Sequence, residues 1–153
     1  MKNRFNEPQK ESLNFSETSK KYFFSKGIRF ECQRCGMCCT GEPGTVYVGK
    51  KEIEDIARFL NMDVEKFKNK FLYPFRDSYS IKELRDGSCM FYRQDMCTIY
   101  PVRPMQCRIY PFWLKNLRNE KRWKEVQKEC PGIGKGKLFS EQEIIDIISL
   151  SPI

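Results

Sequence analysis

Cys32-Gln33-Arg34-Cys35-Gly36-Met37-Cys38-Cys39 places four cysteines within eight residues. Four more follow at Cys89, Cys97, Cys107 and Cys130, and the chain contains no histidine. Thiols at this density, without imidazole, point to thiolate-ligated metal, because soft sulfur ligands select zinc, copper(I) or iron–sulfur clusters. Two four-sulfur sites would use all eight cysteines. The missing histidine excludes Cys2His2 and Cys3His zinc fingers, Rieske centres and histidine acid–base catalysis.

An even cysteine count also fits a disulfide framework. The first residues, Met1-Lys2-Asn3-Arg4-Phe5-Asn6-Glu7-Pro8, lack the apolar segment of a signal peptide. No stretch approaches the roughly 18 apolar residues of a membrane helix. The expectation is therefore a cytoplasmic chain that keeps its thiols reduced and free for metal. Adjacent Cys38 and Cys39 are in addition an awkward disulfide framework.

The length of 153 residues predicts one domain. Aromatics make up 14% of the chain, and they supply apolar area that short helices cannot. The formal charge of +8 counts every cysteine as neutral. Eight thiolates with two divalent ions would bring it to +4, so the basic excess is a weak pointer to nucleic acid.

Residues 1–21 are polar and read as a loose tail before a domain over 22–153. Tyr22-Phe23-Phe24 and Gly27-Ile28-Arg29-Phe30 read as extended, the latter feeding straight into Cys32. Thr45-Val46-Tyr47-Val48 is β-prone. Ile53, Ile56, Ala57 and Leu60 recur at helical spacing over 50–60, with Asn61 placed to end that helix. Asp63 can cap a second helix carrying Val64, Phe67 and Phe71 on one face. Asp86-Gly87 predicts a hairpin between Tyr79–Leu84 and Cys89–Tyr92. Ser140-Glu141-Gln142-Glu143 is a capping box opening a last helix with Ile144, Ile147 and Ile148. The basic run Lys115, Arg118, Lys121, Arg122 and Lys124 reads as a solvated helix face around Trp123, with phosphate contact as the sharper alternative.

Cys32, Cys35 and Cys38 have C-x2-C-x2-C spacing, and Cys130-Pro131 supplies a remote cysteine followed by proline. Ferredoxin-type clusters combine these features. Cys39 is then free to join Cys89, Cys97 and Cys107 in a second site, although spacing alone does not fix this division. Pro101, Pro104 and Pro111 forbid a long helix and would hold Cys97 and Cys107 rigidly. Arg103 and Arg108 can lie near thiolates and raise a cluster potential, or pair with surface acceptors instead. Tyr100, Tyr110, Phe112 and Trp113 read as packing that excludes water.

The combination of Cys32-x2-Cys35-Gly36-x-Cys38-Cys39, Cys89-Met90-Phe91, Cys97 through Cys107-Arg108 and Tyr110-Pro111-Phe112-Trp113, and Cys130-Pro131-Gly132-Ile133 resembles the YkgJ-type cysteine-cluster family. This is the zinc- or iron-chelating CxxCxxCC domain, and the resemblance covers roughly residues 22–148. It implies a metal-chelating domain whose ligands are these cysteines. A related motif resembles part of the flagellin lysine methylase proteins, which are much longer. No Gly-rich fingerprint for S-adenosylmethionine stands in this chain.

These readings predict an α+β fold. It is a small irregular single domain organised around cysteine-ligated metal, with short strands and three or four helices. The expected function is chelation of iron, as an iron–sulfur cluster, or of zinc, through Cys32, Cys35, Cys38, Cys39, Cys89, Cys97, Cys107 and Cys130, with a redox role. A structural zinc module for nucleic-acid or protein binding, or part of a methyltransferase-like enzyme system, stays open. The expected partners are metal ions rather than nucleic acid or a membrane, and a protein partner is left open. No catalytic residue is read, and the sequence leaves open whether the protein is an enzyme.

Overall fold

A computed structural model describes residues 21–40 and 44–151. The tail expected over 1–21 thus lies, but for Lys21, outside the described residues. The chain forms β1 (Ile28–Phe30), β2 (Tyr47–Val48), α1 (Lys50–Phe59), α2 (Val64–Phe71), β3 (Leu72–Phe75), β4 (Ser78–Ile81), β5 (Tyr92–Arg93) and β6 (Met96–Cys97). It continues with α3 (Met105–Arg108), α4 (Leu114–Leu117), α5 (Glu120–Glu129), β7 (Lys137–Phe139) and α6 (Glu141–Ser149).

The first half builds its own core. Helix α1 turns Ile53, Ile56 and Ala57 inward. It ends where Asn61 adopts the left-handed φ of 55°, a conformation Asn tolerates better than most residues. Asp63 caps α2 by accepting from the Lys66 amide at 3.1 Å. Helix α2 then runs directly into β3, and β4 returns beside it. The antiparallel sheet has the order β2-β4-β3. Val48, Phe67, Leu72, Ile81, Phe91 and Ile99 join the helix residues in this core, with Cys89 and Cys97 packed on its edge.

A second core gathers Phe24, Ile28, Phe112, Leu117, Trp123 and Ile144. Here β1 pairs antiparallel with β7, and Phe112 stacks on Trp123 at 6.2 Å between centroids. The α6 capping box forms as expected: Ser140 Oγ accepts from the Glu143 amide, and Glu143 accepts from the Ser140 amide. The basic run is in part a solvated face. Arg122 pairs with Glu125 and Lys124 with Glu120, while Trp123 is buried.

Three expectations need correction. Tyr22–Phe24 is not extended; the chain turns there, Gly27 N–H donating to Phe24 C=O at 2.8 Å, so that Phe24 plugs the second core. The described residues hold six α-helices, not three or four. The surplus lies in α3 and α4, each four residues long, where prolines leave too few residues for a helical period to show. The Asp86-Gly87 reversal forms, with Glu83 bridging to Cys89, but Met90 and Phe91 are turn rather than strand. Among the described residues, no helix is long and apolar enough to cross a membrane.

Candidate metal centre

Four pieces of local structure carry the eight thiols. Strand β1 leads into Cys32 and Cys35. At Gly36 the backbone takes a φ of 74° and then tightens into a 3-10 turn over Met37–Cys39. A side chain at Gly36 would collide with the Tyr92 ring, so glycine is required there for space as well as for conformation.

The Cys89 N–H donates to Cys39 C=O at 2.9 Å, and the Tyr92 N–H to Cys89 C=O at 2.9 Å. Tyr92 pairs with Cys97 across the β5–β6 hairpin, whose two-residue turn holds Gln94 and Asp95 at φ 48° and 59°. Cys39, Cys89 and Cys97 are thereby linked through main chain alone.

Cys107 sits on α3. The Glu52 carboxylate receives the Met105 N–H at 2.6 Å and the Gly49 N–H at 2.9 Å, tying α3 to the start of α1. Buried Gln106 donates to Thr45 C=O at 2.7 Å and accepts from the Tyr47 N–H at 3.1 Å, so it acts as a strand edge for β2. The Trp113 indole N–H donates to Gln106 C=O at 2.7 Å.

Cys130 follows α5. The next residues run beside the entry to the first cysteine turn: Glu31 N–H donates to Gly132 C=O, and Gly134 N–H to Arg29 C=O. A Cβ on Gly132 would press into the Glu31 carbonyl, so only glycine permits this approach.

The result is one cavity of about 150 Å³ lined by all eight cysteines. Ile81, Phe91 and Ile99 of the first core and Phe30 beside the second also face it, so the cavity lies at the junction of the two. Cys32, Cys35 and Cys38 are exposed, Cys130 is buried, the other four are half-buried, and all eight are free thiols. Among the described residues, no three cysteine or carboxylate side chains already stand closely enough to hold an ion. Cys38 Sγ and Cys39 Sγ stand 3.9 Å apart.

The donor set suits a thiophilic metal. Hydrogen bonding with Cys39 lowers Cys38 to about 7 and Cys97 to about 6, shifting both toward the thiolate. The same contacts push Cys39 up. Burial, followed by the charges of neighbouring sulfurs, raises Cys107. Desolvation likewise raises Cys89 and Cys130. A bound metal ion would offset this penalty by supplying positive charge among these sulfurs.

Arg103 does stand beside sulfur. Its Nη1 lies 4.0 Å from Cys32 Sγ, its Nε donates to Tyr100 C=O, and its guanidinium covers the Tyr100 ring at 3.6 Å. Arg34 also lies over that ring, at 4.4 Å. Arg108 lines the cavity, and its charge also acts on Asp55 outside it. Tyr110 lines the cavity, where burial and the Cys130 and Cys38 charges raise its hydroxyl. Phe112 and Trp113 pack behind this wall, Phe112 in the second core and Trp113 edge-on to Tyr110. The sequence reading missed Glu52, Gln106 and Tyr92, whose roles arise from long-range contacts that leave no periodic signal.

The pattern of the CxxCxxCC family, described as "Putative zinc- or iron-chelating domain", matches residues 31–131. The chain belongs to this family. Uncharacterized protein MJ0661 of Methanocaldococcus jannaschii is 32% identical over 102 residues, covering 64% of this chain and 52% of the relative. Uncharacterized protein MJ0939 of the same organism is 24% identical over 133 residues, covering 80% of this chain and 44% of the relative. The chain thus spans about half the length of these curated relatives. No solved structure matches it.

Proposed function

We propose that residues 22–153 form a metal-chelating domain whose eight cysteines bind zinc or iron, the iron reading being an iron–sulfur centre with a redox role. The observation that carries this is the meeting of all eight thiols, from four separate chain segments, around one cavity.

Two observations support the two metals. Cys38 and Cys39 stand 3.9 Å apart, close to the separation of about 3.8 Å for two sulfurs on one tetrahedral ion with metal–sulfur bonds of about 2.3 Å. This supports zinc or iron held by thiolate alone. The C-x2-C-x2-C spacing with Cys130-Pro131 supports an iron–sulfur centre. Iron would supply one-electron exchange, whereas zinc would supply a cross-link between the two cores. The chain's own part is the same for either. The cysteines bind, Arg103 sets a positive charge beside Cys32, and Ile81, Phe91 and Ile99 keep water from one wall.

Anaerobic purification followed by an absorption spectrum, with iron, labile sulfide and zinc quantified, tests the proposal. Iron with sulfide and a reversible reduction step supports the redox reading. A colourless protein holding zinc without sulfide supports the cross-linking reading. Protein that takes up neither metal, even when offered it after reduction, overturns both.

A further inference from the structure

We propose that the pocket between α1, the Tyr100–Val102 turn and α3 binds a small organic anion, a carboxylate or phosphate carried on an apolar body. Arg103 and Arg108 grip the charged oxygens, Arg58 adds its charge from α1, and Phe59 lies against the body. This goes beyond chelation and does not depend on which metal the cysteines hold.

The pocket has a volume of about 350 Å³ and adjoins the thiol cavity, with Arg103 and Arg108 lining both. Its α1 wall is the stripe Glu52, Asp55, Arg58 and Phe59, residues that fall on one face of the helix. Pro101 and Val102 add an apolar wall. Three guanidiniums thus share one concave space.

The two carboxylates there are already engaged. Glu52 commits both oxygens to main chain, accepting from the Gly49 and Met105 N–H groups. Asp55 holds Lys51 with one oxygen at 2.7 Å and Arg58 with the other at 3.4 Å. The Arg108 guanidinium has no hydrogen bond or ion pair among the described residues. The pocket is therefore short of negative charge, and a ligand can supply it.

Arg103 is held in place before any ligand arrives. Its Nε donates to Tyr100 C=O at 3.0 Å, and its guanidinium lies 3.6 Å from the centroid of the Tyr100 ring. Nη1 stands by Cys32, which leaves Nη2 without a partner among the described residues. A planar fork held in this way loses little freedom on binding, and its geometry suits carboxylate and phosphate oxygens. Phe59 argues that the ligand carries more than charge. It is 47% exposed, and it lines the pocket with Pro101 and Val102 beside the cations. Apolar walls with a few converging polar groups fit an amphipathic anion better than an inorganic one.

Isothermal titration calorimetry on the full chain at low ionic strength tests this with phenyl phosphate, benzoate and inorganic phosphate. Phenyl phosphate, benzoate or both should bind at one equivalent and more tightly than inorganic phosphate, the tighter of the two identifying the charged group. Arg108→Gln should weaken that binding about 10- to 100-fold. Arg58→Gln should weaken it about 2- to 5-fold, since that side chain is 78% exposed. Phe59→Ala should weaken the aromatic ligand about 2- to 10-fold and leave inorganic phosphate unchanged. Lys128→Gln removes a cation outside the pocket and should change nothing. Metal content is measured on every variant. Arg108 neighbours Cys107, so if Arg108→Gln loses metal, Arg58→Gln and Phe59→Ala decide the proposal. No saturable binding, equal affinity for inorganic phosphate, unchanged affinity in both arginine variants, or a loss shared by Lys128→Gln would each overturn it.

Discussion

Gly36→Ala should weaken metal binding about 10- to 300-fold, at about 1.4 kcal/mol per tenfold, while the two cores stay folded. Two terms set this range. Gly36 holds a φ of 74°, and the left-handed region costs a residue with a Cβ roughly 1–2 kcal/mol. The new Cβ would also occupy space now filled by the edge of the Tyr92 ring. Tyr92 is half-buried, and its hydroxyl holds Asp95 only at 3.4 Å, so the ring can swing aside at about 0.5–1.5 kcal/mol of rotamer strain. The sum is about 1.5–3.5 kcal/mol.

Without metal the Met37–Cys39 turn can relax, so most of this strain should fall on the loaded state. Competition against a chromogenic chelator measures it. Gly36→Asn should recover part of the conformational term, because Asn tolerates the left-handed region, but none of the steric one. Adding Tyr92→Ala to Gly36→Ala should return the steric part, read as a coupling energy in a double-mutant cycle. Wild-type affinity in Gly36→Ala would refute the reasoning, since the turn would then not need the geometry that the glycine provides.

Chelation of the purified protein should lower its melting temperature sharply or abolish cooperative melting. Structural zinc contributes about 10–16 kcal/mol in small fingers against a whole-domain stability of about 5–15 kcal/mol, and here the cavity joins both cores. An unchanged melt would contradict this. Gln106→Ala should lower the unfolding free energy by about 2–4 kcal/mol in denaturant titration, because the Tyr47 N–H and Thr45 C=O lose their partner; an unmoved midpoint would show that water replaces it. Arg103→Ala should keep the metal and, with iron bound, make the reduction potential more negative, since the lost cation favours the reduced form; an unchanged potential leaves Arg103 only its contact with Tyr100. Glu143 is held at about 2, below its ordinary 4.5, chiefly by the Lys137 hydrogen bond and then by Ser140. A carboxylate depressed in this way adds stability that is present above about pH 4.5 and lost as pH falls through about 2. Glu143→Gln should therefore flatten the acid slope of stability between those values, and an unaltered slope would discount the cap.

The helices were legible where one face is apolar and the ends carry their own signals. α1, α2 and α6 each combine a 3.6-residue period with a local stop or start at Asn61, Asp63 or Ser140. The hairpin that carries Cys97 was not legible. Its turn uses Gln94 and Asp95 in the left-handed region, where a glycine or asparagine would have announced it. Strand β3 was hidden for a different reason. It continues α2 without a break, and the partner that makes it a strand, β4, is supplied by tertiary structure. Glu52 and Gln106 look like ordinary surface residues in sequence, yet each holds two backbone groups distant in the chain or at a helix start.

The thiols were legible as a set because coordination chemistry depends on residue type before it depends on position. Their division was not, and the reason is geometric. Adjacent side chains point to opposite faces of an extended strand, which would send Cys38 and Cys39 to different ions. The 3-10 turn after Gly36 removes that alternation and brings the two sulfurs to 3.9 Å. The Tyr92 ring lies where a Gly36 side chain would be, a contact spanning more than fifty residues, and this restricts the turn to glycine. A neighbouring pair of cysteines read alone can be assigned either way, and it is the fold around the motif that brings these two sulfurs together.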